Sequence, residues 1–250
     1  MADFRGGEAV WIERLDNLRN VIRQEVIRRQ LSRHVTAGMT VLDVGCGQGT
    51  QAIELARAGC VVTGVEPSKE LRLRCERSAS SSGCAIELID GAVDQLDEIM
   101  VGRHFDVVCA HGVLMYMPSM TGAITALSRR VALRGLLSVT FRNGHALAFR
   151  PAMRRDWAGA LAAMEAKEYV NELGVAARSD RLENVETALV ESGFEIESWY
   201  GVRVFNDAIA ADMQVPEGED LAAMLEAEDA AGRRDPYRWL ASQLHVVARR

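Results

Sequence analysis

A glycine-rich turn follows a short apolar run in the first fifth of the chain. Val41 to Thr50 reads VLDVGCGQGT, so an acidic residue, Asp43, precedes three alternating glycines. Glycine has no Cβ atom, and Gly45 and Gly47 therefore let the backbone pass close to a ligand. The following residues, QAIELARAG, have apolar positions at helical spacing and predict a helix whose first amides point at that ligand. This segment predicts a loop that wraps a nucleoside.

Three interpretations fit the glycine pattern taken alone. Dinucleotide-binding folds have a related G-x-G-x-x-G turn, with a pyrophosphate at the start of the helix. The acidic Asp43 favours a cationic or amine-bearing ligand over a diphosphate. A tight strand-to-helix turn without a ligand is the third interpretation, because such glycine patterns also arise by chance.

Acidic residues also stand at the ends of the next two predicted strands. Val61–Glu66 reads VVTGVE, and Glu66 at its end can accept hydrogen bonds from both hydroxyls of a ribose. Cys84–Asp90 predicts a third strand, and Asp90 offers an acid near the edge of an adenine. The residues that follow Asp90 offer backbone groups for the same edge: Gly91, Ala92 and Val93.

Strands and helices alternate along the first 142 residues, and further strands are predicted nearer the C-terminus. This order predicts an α/β fold with a doubly wound, mostly parallel seven-stranded sheet and a ligand at the carboxyl ends of its strands. An amphipathic helix is predicted before the core, over Trp11–His34 with Leu15 among its apolar residues. A C-terminal helical insertion is predicted from helices over 154–171 and 182–192. The remaining predicted strands are 105–111, 133–141, 194–205 and 244–249.

Length and composition favour one domain. At 250 residues with 48% hydrophobic content, the chain predicts a single domain over 1–250. Its parts are an N-terminal helical segment (1–36), a ligand-binding core (37–142) and an acceptor-side region (143–250). No apolar run approaches the roughly 20 residues that span a bilayer, and no signal pattern is present. We therefore expect a cytoplasmic protein without a membrane partner.

Cysteine spacing and charge exclude further classes. The five cysteines include no C-x-x-C pair, which argues against a disulfide framework and predicts no metal site. The net charge of −6 is unlike that of a basic nucleic-acid-binding protein. Seven acidic residues lie between Asp212 and Asp229, and without them the net charge of the chain would be +1. Arginines gather in the N-terminal segment and over 142–155, where they can meet an anionic partner or form solvated helix faces.

The three motifs together, VLDVGCGQG, VVTGVEPS and the residues around Asp90, resemble class I S-adenosylmethionine-dependent methyltransferases in order and spacing. The resemblance implies a Rossmann-like methyltransferase fold and S-adenosylmethionine as cofactor. Asp43 and the glycines would line the methionine end, Glu66 the ribose, and Arg19 would reach the methionine carboxylate. The cofactor-binding residues that the resemblance implies are Arg19, Asp43, Gly45, Cys46, Gly47, Gln51, Glu66, Pro67, Gly91, Ala92, Val93 and His111.

The second half narrows the resemblance. The segments FRNGHALAF, LVESGFEIESWYGVRVFND and DPYRWLASQLHVVARR resemble the tRNA 5-carboxymethoxyuridine methyltransferases, over about Leu18–Arg250. This implies methylation of the wobble-uridine carboxylate in a tRNA anticodon loop, a group already ionised at pH 7 that needs no general base. The implied catalytic residues are His111, Asn143 and Arg203. The implied acceptor-binding residues are Tyr116, Arg142, Asn143, His145, Arg203 and Tyr237.

Several residues depart from that resemblance and keep alternatives open. At the position of Arg142 the family has a Tyr, and at the position of Asn206 it has a His. At the positions of Ser242 and Gln243 it has an Arg-Tyr pair. A small-molecule O-methyltransferase for a carboxylate- or hydroxyl-bearing metabolite is therefore the alternative, and a cofactor-binding protein without turnover is a third hypothesis. Arg203 is expected to orient the acceptor carboxylate as a fork donor, with a structural ion pair as its alternative role.

Overall fold

Seven strands form one sheet in the computed structural model, which describes residues 8–14, 16–207, 209 and 213–250. The strands in chain order are β1 (Thr40–Val44), β2 (Val61–Val65), β3 (Ile86–Ile89), β4 (Phe105–His111), β5 (Val131–Arg142), β6 (Glu168–Val170), β7 (Ala176–Arg178), β8 (Glu195–Val202) and β9 (Gln243–Arg249). The sheet order is β3-β2-β1-β4-β5-β9-β8, while β6 and β7 form a separate hairpin. This arrangement confirms the predicted Rossmann-like α/β sheet.

The direction of the strands creates the crevice for the site. β1 to β5 pair in parallel, and β9 runs antiparallel between β5 and β8. The order reverses between β1 and β4, so the loops after these two strands diverge and leave a crevice at their carboxyl ends. β1, β4 and β5 are buried along nearly their whole length, which explains their continuous apolar sequences.

Helices cover the sheet and its carboxyl edge. They are α1 (Glu8–Glu13), α2 (Leu18–Leu31), α3 (Thr50–Arg57), α4 (Lys69–Ser81), α5 (Leu96–Ile99), α6 (Met120–Ser128), α7 (Phe149–Met153), α8 (Trp157–Glu165), α9 (Leu182–Glu191) and α10 (Gly218–Gly232). The main core lies between the sheet and α6 and α9. α2 packs its apolar face against α10 and β8 in a smaller cluster that includes Leu18, Ile22 and Val202.

Two predicted helices need correction. The helix predicted over Trp11–His34 is two helices, because the Asn17 side chain accepts a hydrogen bond from the Asn20 amide and starts α2 anew. Leu15 lies outside the described residues. The helix predicted over 154–171 ends at Glu165, since Tyr169 and its neighbours pair with β7 in a hairpin instead. Aromatic and β-branched residues favour that strand.

α10 was not predicted, and it holds a functional loop in place. Glu228 on this helix is fully buried. Its carboxylate accepts hydrogen bonds from the backbone amides of Val204, Phe205 and Asn206, at 2.7, 2.9 and 2.8 Å. The preceding residue, Arg203, has a φ of +60°, a conformation that L-residues rarely adopt. Glu228 therefore stabilises the strained turn that carries Arg203. Asp212, counted in the acidic segment, lies outside the described residues.

Two classes of site find no support in the described part of the chain. No helix there is both long and apolar enough to cross a bilayer. No group of histidines, cysteines and carboxylates among the same residues has the arrangement of a metal site. All five cysteines are free.

Replacing Glu228 by alanine should destabilise the fold. Three backbone amides would lose their acceptor in the interior, and each unpaired buried group costs about 1–3 kcal/mol, so a loss of about 3 kcal/mol or more is expected. Urea unfolding measures this loss. Glu226→Ala, an exposed position on the same helix, is the matched control and should change stability little. Equal stability of the two variants would contradict the role given to Glu228.

Candidate functional site

A cavity of about 850 Å³ opens at the carboxyl ends of β1, β2 and β4. Its walls are the glycine-rich loop after β1, the inner face of α2, the residues after β4, and the turn between β6 and β7. The volume lies in the upper part of the roughly 300–1,000 Å³ typical of ligand pockets. The cavity is therefore large enough to bind a small-molecule ligand.

One end of the cavity collects most of the predicted cofactor residues. Those that line it are Asp43, Gly45, Cys46, Gly47, Gln51, Glu66, Pro67, Ala92, Val93 and His111, while Arg19 lines the cavity beside Glu172 at the other end. Gly91 does not line the cavity, because it packs on α5, where a Cβ atom would meet Ile99 Cδ1 at 2.4 Å. Asp90 is also outside, exposed and paired with Arg72 at 2.8 Å. Asp94 lines the cavity where Asp90 was expected.

The glycine loop and Glu66 form one rigid unit. Gly47 has a φ of +58°, and a Cβ atom there would meet nothing within 4 Å, so the backbone faces the open cavity. Its amide donates to Glu66 Oε2 at 2.9 Å, and the Ser68 amide donates to Glu66 Oε1 at 2.9 Å. The carboxylate is thereby fixed between the loop and the start of α4, where a ribose would lie.

Asp43 is a buried acid at the base of the same loop. Burial, and then the neighbouring Glu66, raise the pKa of its carboxyl to about 7. A cation in the cavity would favour the ionised form. Cys46, in the same loop, is a poor nucleophile, because a hydrogen bond with Cys75 and burial hold the pKa of its thiol well above the usual value.

A chain of buried hydrogen bonds leads from α2 through the sheet to His111. Gln30 Nε2 donates to the Gly201 carbonyl at 2.9 Å, which leaves Gln30 Oε1 as acceptor toward His245 Nδ1 at 2.8 Å. Ser138 Oγ lies 2.8 Å from His245 Nε2 and 2.9 Å from His111 Nε2. We call these four side chains the buried histidine chain.

The direction of the buried histidine chain fixes the form of His111. His245 donates its Nδ1 proton to Gln30 Oε1, so its Nε2 atom accepts a hydrogen bond from the Ser138 hydroxyl. The Ser138 oxygen then accepts a hydrogen bond from His111 Nε2. His111 Nδ1 is then an acceptor, and this buried atom has no hydrogen-bond partner among the described residues. Burial, and then Arg23, lower the pKa of His111 to about 3. At neutral pH the ring is a neutral acceptor and too weak a base for proton abstraction.

Arginines dominate the other end of the cavity. Arg203 donates through Nε to Ser242 Oγ at 3.0 Å and pairs with Asp207. Arg150 binds Asp207 through two nitrogens, at 2.6 and 3.1 Å, and Arg142 approaches it to 3.7 Å. Although burial opposes ionisation, these three arginines hold the pKa of Asp207 below its usual value. We call this group the Asp207 cluster.

Aromatic and amide side chains complete this end. Tyr116 lines the cavity and accepts a hydrogen bond from Asn171 Nδ2 at 2.9 Å. Burial, and then Tyr169, raise the pKa of Tyr116 to about 12, so its hydroxyl stays protonated. Arg142 lies over the ring of Tyr169, with the guanidinium carbon 5.3 Å from the ring centroid. Gln243 also faces the cavity.

Three predicted acceptor residues lie elsewhere. Asn143 is fully buried, and its amide donates to the carbonyls of Trp239 and Ala241 at 2.9 Å each, so it joins β5 to the segment before β9. His145 contacts Glu183 at 3.2 Å, and Tyr237 packs on Phe205, half-exposed. These three therefore do not line the cavity, while His111, Tyr116, Arg142 and Arg203 do.

The structure also adds residues to the site. Arg23 lies one turn after Arg19 on α2, stacks on Trp11 at 4.8 Å, and reaches the backbone at Gly112 after β4. Arg19 pairs instead with Glu172 and the Ile209 carbonyl. The sequence contained a signal for Arg23, since positions 19 and 23 share one face of a helix. Tyr169 and Asn171 carried no such signal, because they were predicted to lie in a helix over 154–171.

Comparisons with known proteins agree with this geometry. Residues 41–135 match a family described as a methyltransferase domain. The chain is 27% identical to the tRNA 5-carboxymethoxyuridine methyltransferase of Escherichia coli (strain K12), over 93% of this chain and 88% of that one. It is also 27% identical to a ubiquinone biosynthesis O-methyltransferase of Rhizobium leguminosarum bv. trifolii, over 87% and 82% of the two chains.

The fold is shared with solved methyltransferase structures. One is the magnesium protoporphyrin IX methyltransferase from Synechocystis PCC 6803 with bound S-adenosylmethionine. The superposition covers 92% of this chain and 81% of that one, with a TM-score of 0.56 and 16% identity.

Binding of S-adenosylmethionine should depend on pH through Asp43. The unliganded carboxyl, with a pKa of about 7, holds its proton on the acid side of that value, and a cationic ligand must displace the proton. Affinity should therefore fall as pH drops below 7, by up to about tenfold per pH unit, with proton release on binding. Calorimetric titration in buffers of different ionisation enthalpy measures both effects. Asp43→Asn should bind weakly and without this pH dependence; a pH-independent wild type would refute the coupling.

Proposed function

The chain is a class I S-adenosylmethionine-dependent methyltransferase, and we propose that it methylates the carboxylate of 5-carboxymethoxyuridine at the wobble position of tRNA, giving the methyl ester. The observation that carries this proposal is the set of buried arginines at the acceptor end of the cavity, beside the predicted cofactor end. Guanidinium groups bind carboxylates through two parallel hydrogen bonds. A cavity with this lining selects an anionic acceptor.

The residues of the cofactor end fit S-adenosylmethionine. Glu66 would bind the ribose hydroxyls, and the segment from Ala92 to Gln95 would contact the adenine. Asp43 would face the positive charge of the methionine end, and His111 Nδ1, a bare acceptor, would take a hydrogen bond from its ammonium group. When bound, the cofactor supplies a methyl group on a sulfonium, which an acceptor oxygen displaces in line, with the bonding electrons leaving on sulfur.

The role of the acceptor end is positioning rather than proton transfer. An ionised carboxylate oxygen is already a nucleophile, so the neutral form of His111 is no obstacle. Arg203 is fixed by Ser242 and Asp207, and it would hold the carboxylate in one orientation. Because Asp207 shares the charge of Arg203, the grip on the acceptor is weakened and its nucleophilicity is retained. Alignment of reacting groups in a closed site supplies most of the rate in such reactions.

The similarity to the Escherichia coli tRNA enzyme over 93% of this chain supports the tRNA substrate. A small-molecule O-methyltransferase is the second candidate. The match to a ubiquinone biosynthesis O-methyltransferase over 87% of the chain favours it, as does the departure at Arg142 from the resembling tRNA family. Both candidates use the same cofactor end and differ at the acceptor end.

A labelled transfer assay tests the proposal. The protein is incubated with S-adenosylmethionine labelled in the methyl group and with tRNA that carries 5-carboxymethoxyuridine, followed by mild digestion to nucleosides. Label in the methyl ester of that nucleoside is expected, and tRNA with unmodified wobble uridine is the matched control. Absence of label from every modified uridine would overturn the proposal, and label in a small metabolite would establish the second candidate.

The substitution Arg203→Lys should weaken binding of the acceptor and leave binding of the cofactor unchanged. Lysine keeps the positive charge but cannot donate the two parallel hydrogen bonds of a guanidinium group. Loss of one charge-assisted hydrogen bond costs about 1.5–3 kcal/mol, which predicts a rise in KM for tRNA of roughly tenfold or more. Steady-state kinetics measure KM, and calorimetry should show unchanged cofactor affinity. Arg129→Lys, exposed at the end of α6, serves as control. An unchanged KM for tRNA in Arg203→Lys would remove Arg203 from acceptor binding.

A further inference from the structure

The acceptor end of the cavity contains more positive charge than its own carboxylates neutralise. Six arginines line the cavity; Arg14 donates to the Glu172 carbonyl, and the other five lie at this end together with two carboxylates. The five are Arg19, Arg23, Arg142, Arg150 and Arg203, and the carboxylates are Glu172 and Asp207. The surplus of these five arginines over the two carboxylates is three positive charges within the described residues.

The surplus falls mainly on two of the five arginines. Asp207 is shared by Arg150 and Arg203, and Glu172 binds Arg19 and Arg150. Arg142 is 4% exposed, lies 3.7 Å from Asp207, and its Nε has no hydrogen-bond partner in the described part of the chain.

Arg23 has even less compensation. It is 9% exposed, its Nε has no hydrogen-bond partner, and no carboxylate pairs with it among the described residues. Burial, and then Arg203, lower the pKa of Arg23 to about 10, so the group remains charged at neutral pH. A buried charge without a counter-ion is unfavourable unless a ligand supplies one.

The cofactor does not supply the missing charge. S-adenosylmethionine carries one carboxylate, one ammonium and one sulfonium, so its methionine end adds a net positive charge. A monocarboxylate acceptor balances only the charge of the sulfonium, and methyl transfer removes these two charges together, so the surplus on the arginines stays the same. Neutralising Arg23 and Arg142 therefore requires a further negative group that methyl transfer leaves intact.

We propose that the acceptor carries a second anionic group, a phosphate or a carboxylate, which Arg23 and Arg142 bind beside the carboxylate that is methylated. This inference rests on the proposed function and specifies its substrate class as at least a dianion. Arg142 stands where the resembling tRNA family has Tyr, so this subsite belongs to the present chain. In tRNA, the phosphate of the wobble nucleotide supplies the second group; in a metabolite, a phosphate ester or a second carboxylate does.

Kinetics with matched acceptors test the second subsite. The acceptors are 5-carboxymethoxyuridine, its monophosphate, and an anticodon stem-loop that contains it. For the wild type, kcat/KM should be at least about tenfold higher for the monophosphate than for the nucleoside, the effect of one charge-assisted contact. In Arg23→Gln and Arg142→Tyr this ratio should fall toward one, whereas Arg129→Gln should keep it. A wild-type ratio near one, or equal ratios in all variants, would overturn the inference.

A binding measurement separates failure of this inference from failure of the proposed function. With S-adenosylhomocysteine bound, inorganic phosphate and succinate are titrated by calorimetry, with acetate as the monoanionic control. Both dianions should bind at least about tenfold more tightly than acetate to the wild type, and this preference should vanish in Arg23→Gln and Arg142→Tyr. If no 5-carboxymethoxyuridine acceptor is methylated but the preference is present, the tRNA function fails and the subsite stands. If dianions bind no better than acetate, the subsite is refuted.

Thermal unfolding guards against a structural explanation. Because no carboxylate pairs with the buried Arg23 in the described part of the chain, Arg23→Gln should leave the melting temperature of the unliganded protein unchanged or raise it. A marked decrease would mean that Arg23 serves the fold, and it would overturn the assignment of Arg23 to ligand binding.

Discussion

The arrangement of the cavity depends on one partly buried carboxylate, Asp207, held among three arginines. Each guanidinium would be costly to bury alone, and a single ion brings the side chains of Arg142, Arg150 and Arg203 to one place. One carboxylate cannot neutralise three guanidinium groups. The resulting surplus is the basis of the proposed preference for anionic acceptors, so the interaction that brings these arginines together also underlies the proposed chemistry.

Structural elements far apart in sequence maintain this arrangement. Glu228 on α10 fixes the backbone after Arg203, and the hairpin of β6 and β7 brings Glu172 to the arginines of α2 and α7. The buried histidine chain crosses the sheet and presents His111 as a neutral acceptor at the boundary between the cofactor and acceptor ends. A methyl transfer to a carboxylate requires this kind of fixed, proton-free environment.

The sequence predicted which residues meet at the proposed cofactor end, because the signals there are local. A strand, a glycine turn and an acid at the next strand end are short-range features, and Asp43, Gly47 and Glu66 do meet in the structure. The acceptor end was harder, because side-chain direction there is set by long-range pairing. Asn143 shows this, since its neighbours in sequence line the cavity while its own amide binds carbonyls near residue 240. Nothing local could reveal that Arg23 has no carboxylate partner among the residues that the structure describes.

The central claim is that buried arginines bind the acceptor through its negative groups. A crystal structure of the protein with S-adenosylhomocysteine and the monophosphate of 5-carboxymethoxyuridine tests it most directly. The account predicts the carboxylate at hydrogen-bond distance, about 3 Å, from Arg203, and the phosphate on Arg23 or Arg142. A ligand whose anionic groups face solvent, with the arginines still bound only to Asp207, Glu172 and water, would contradict it.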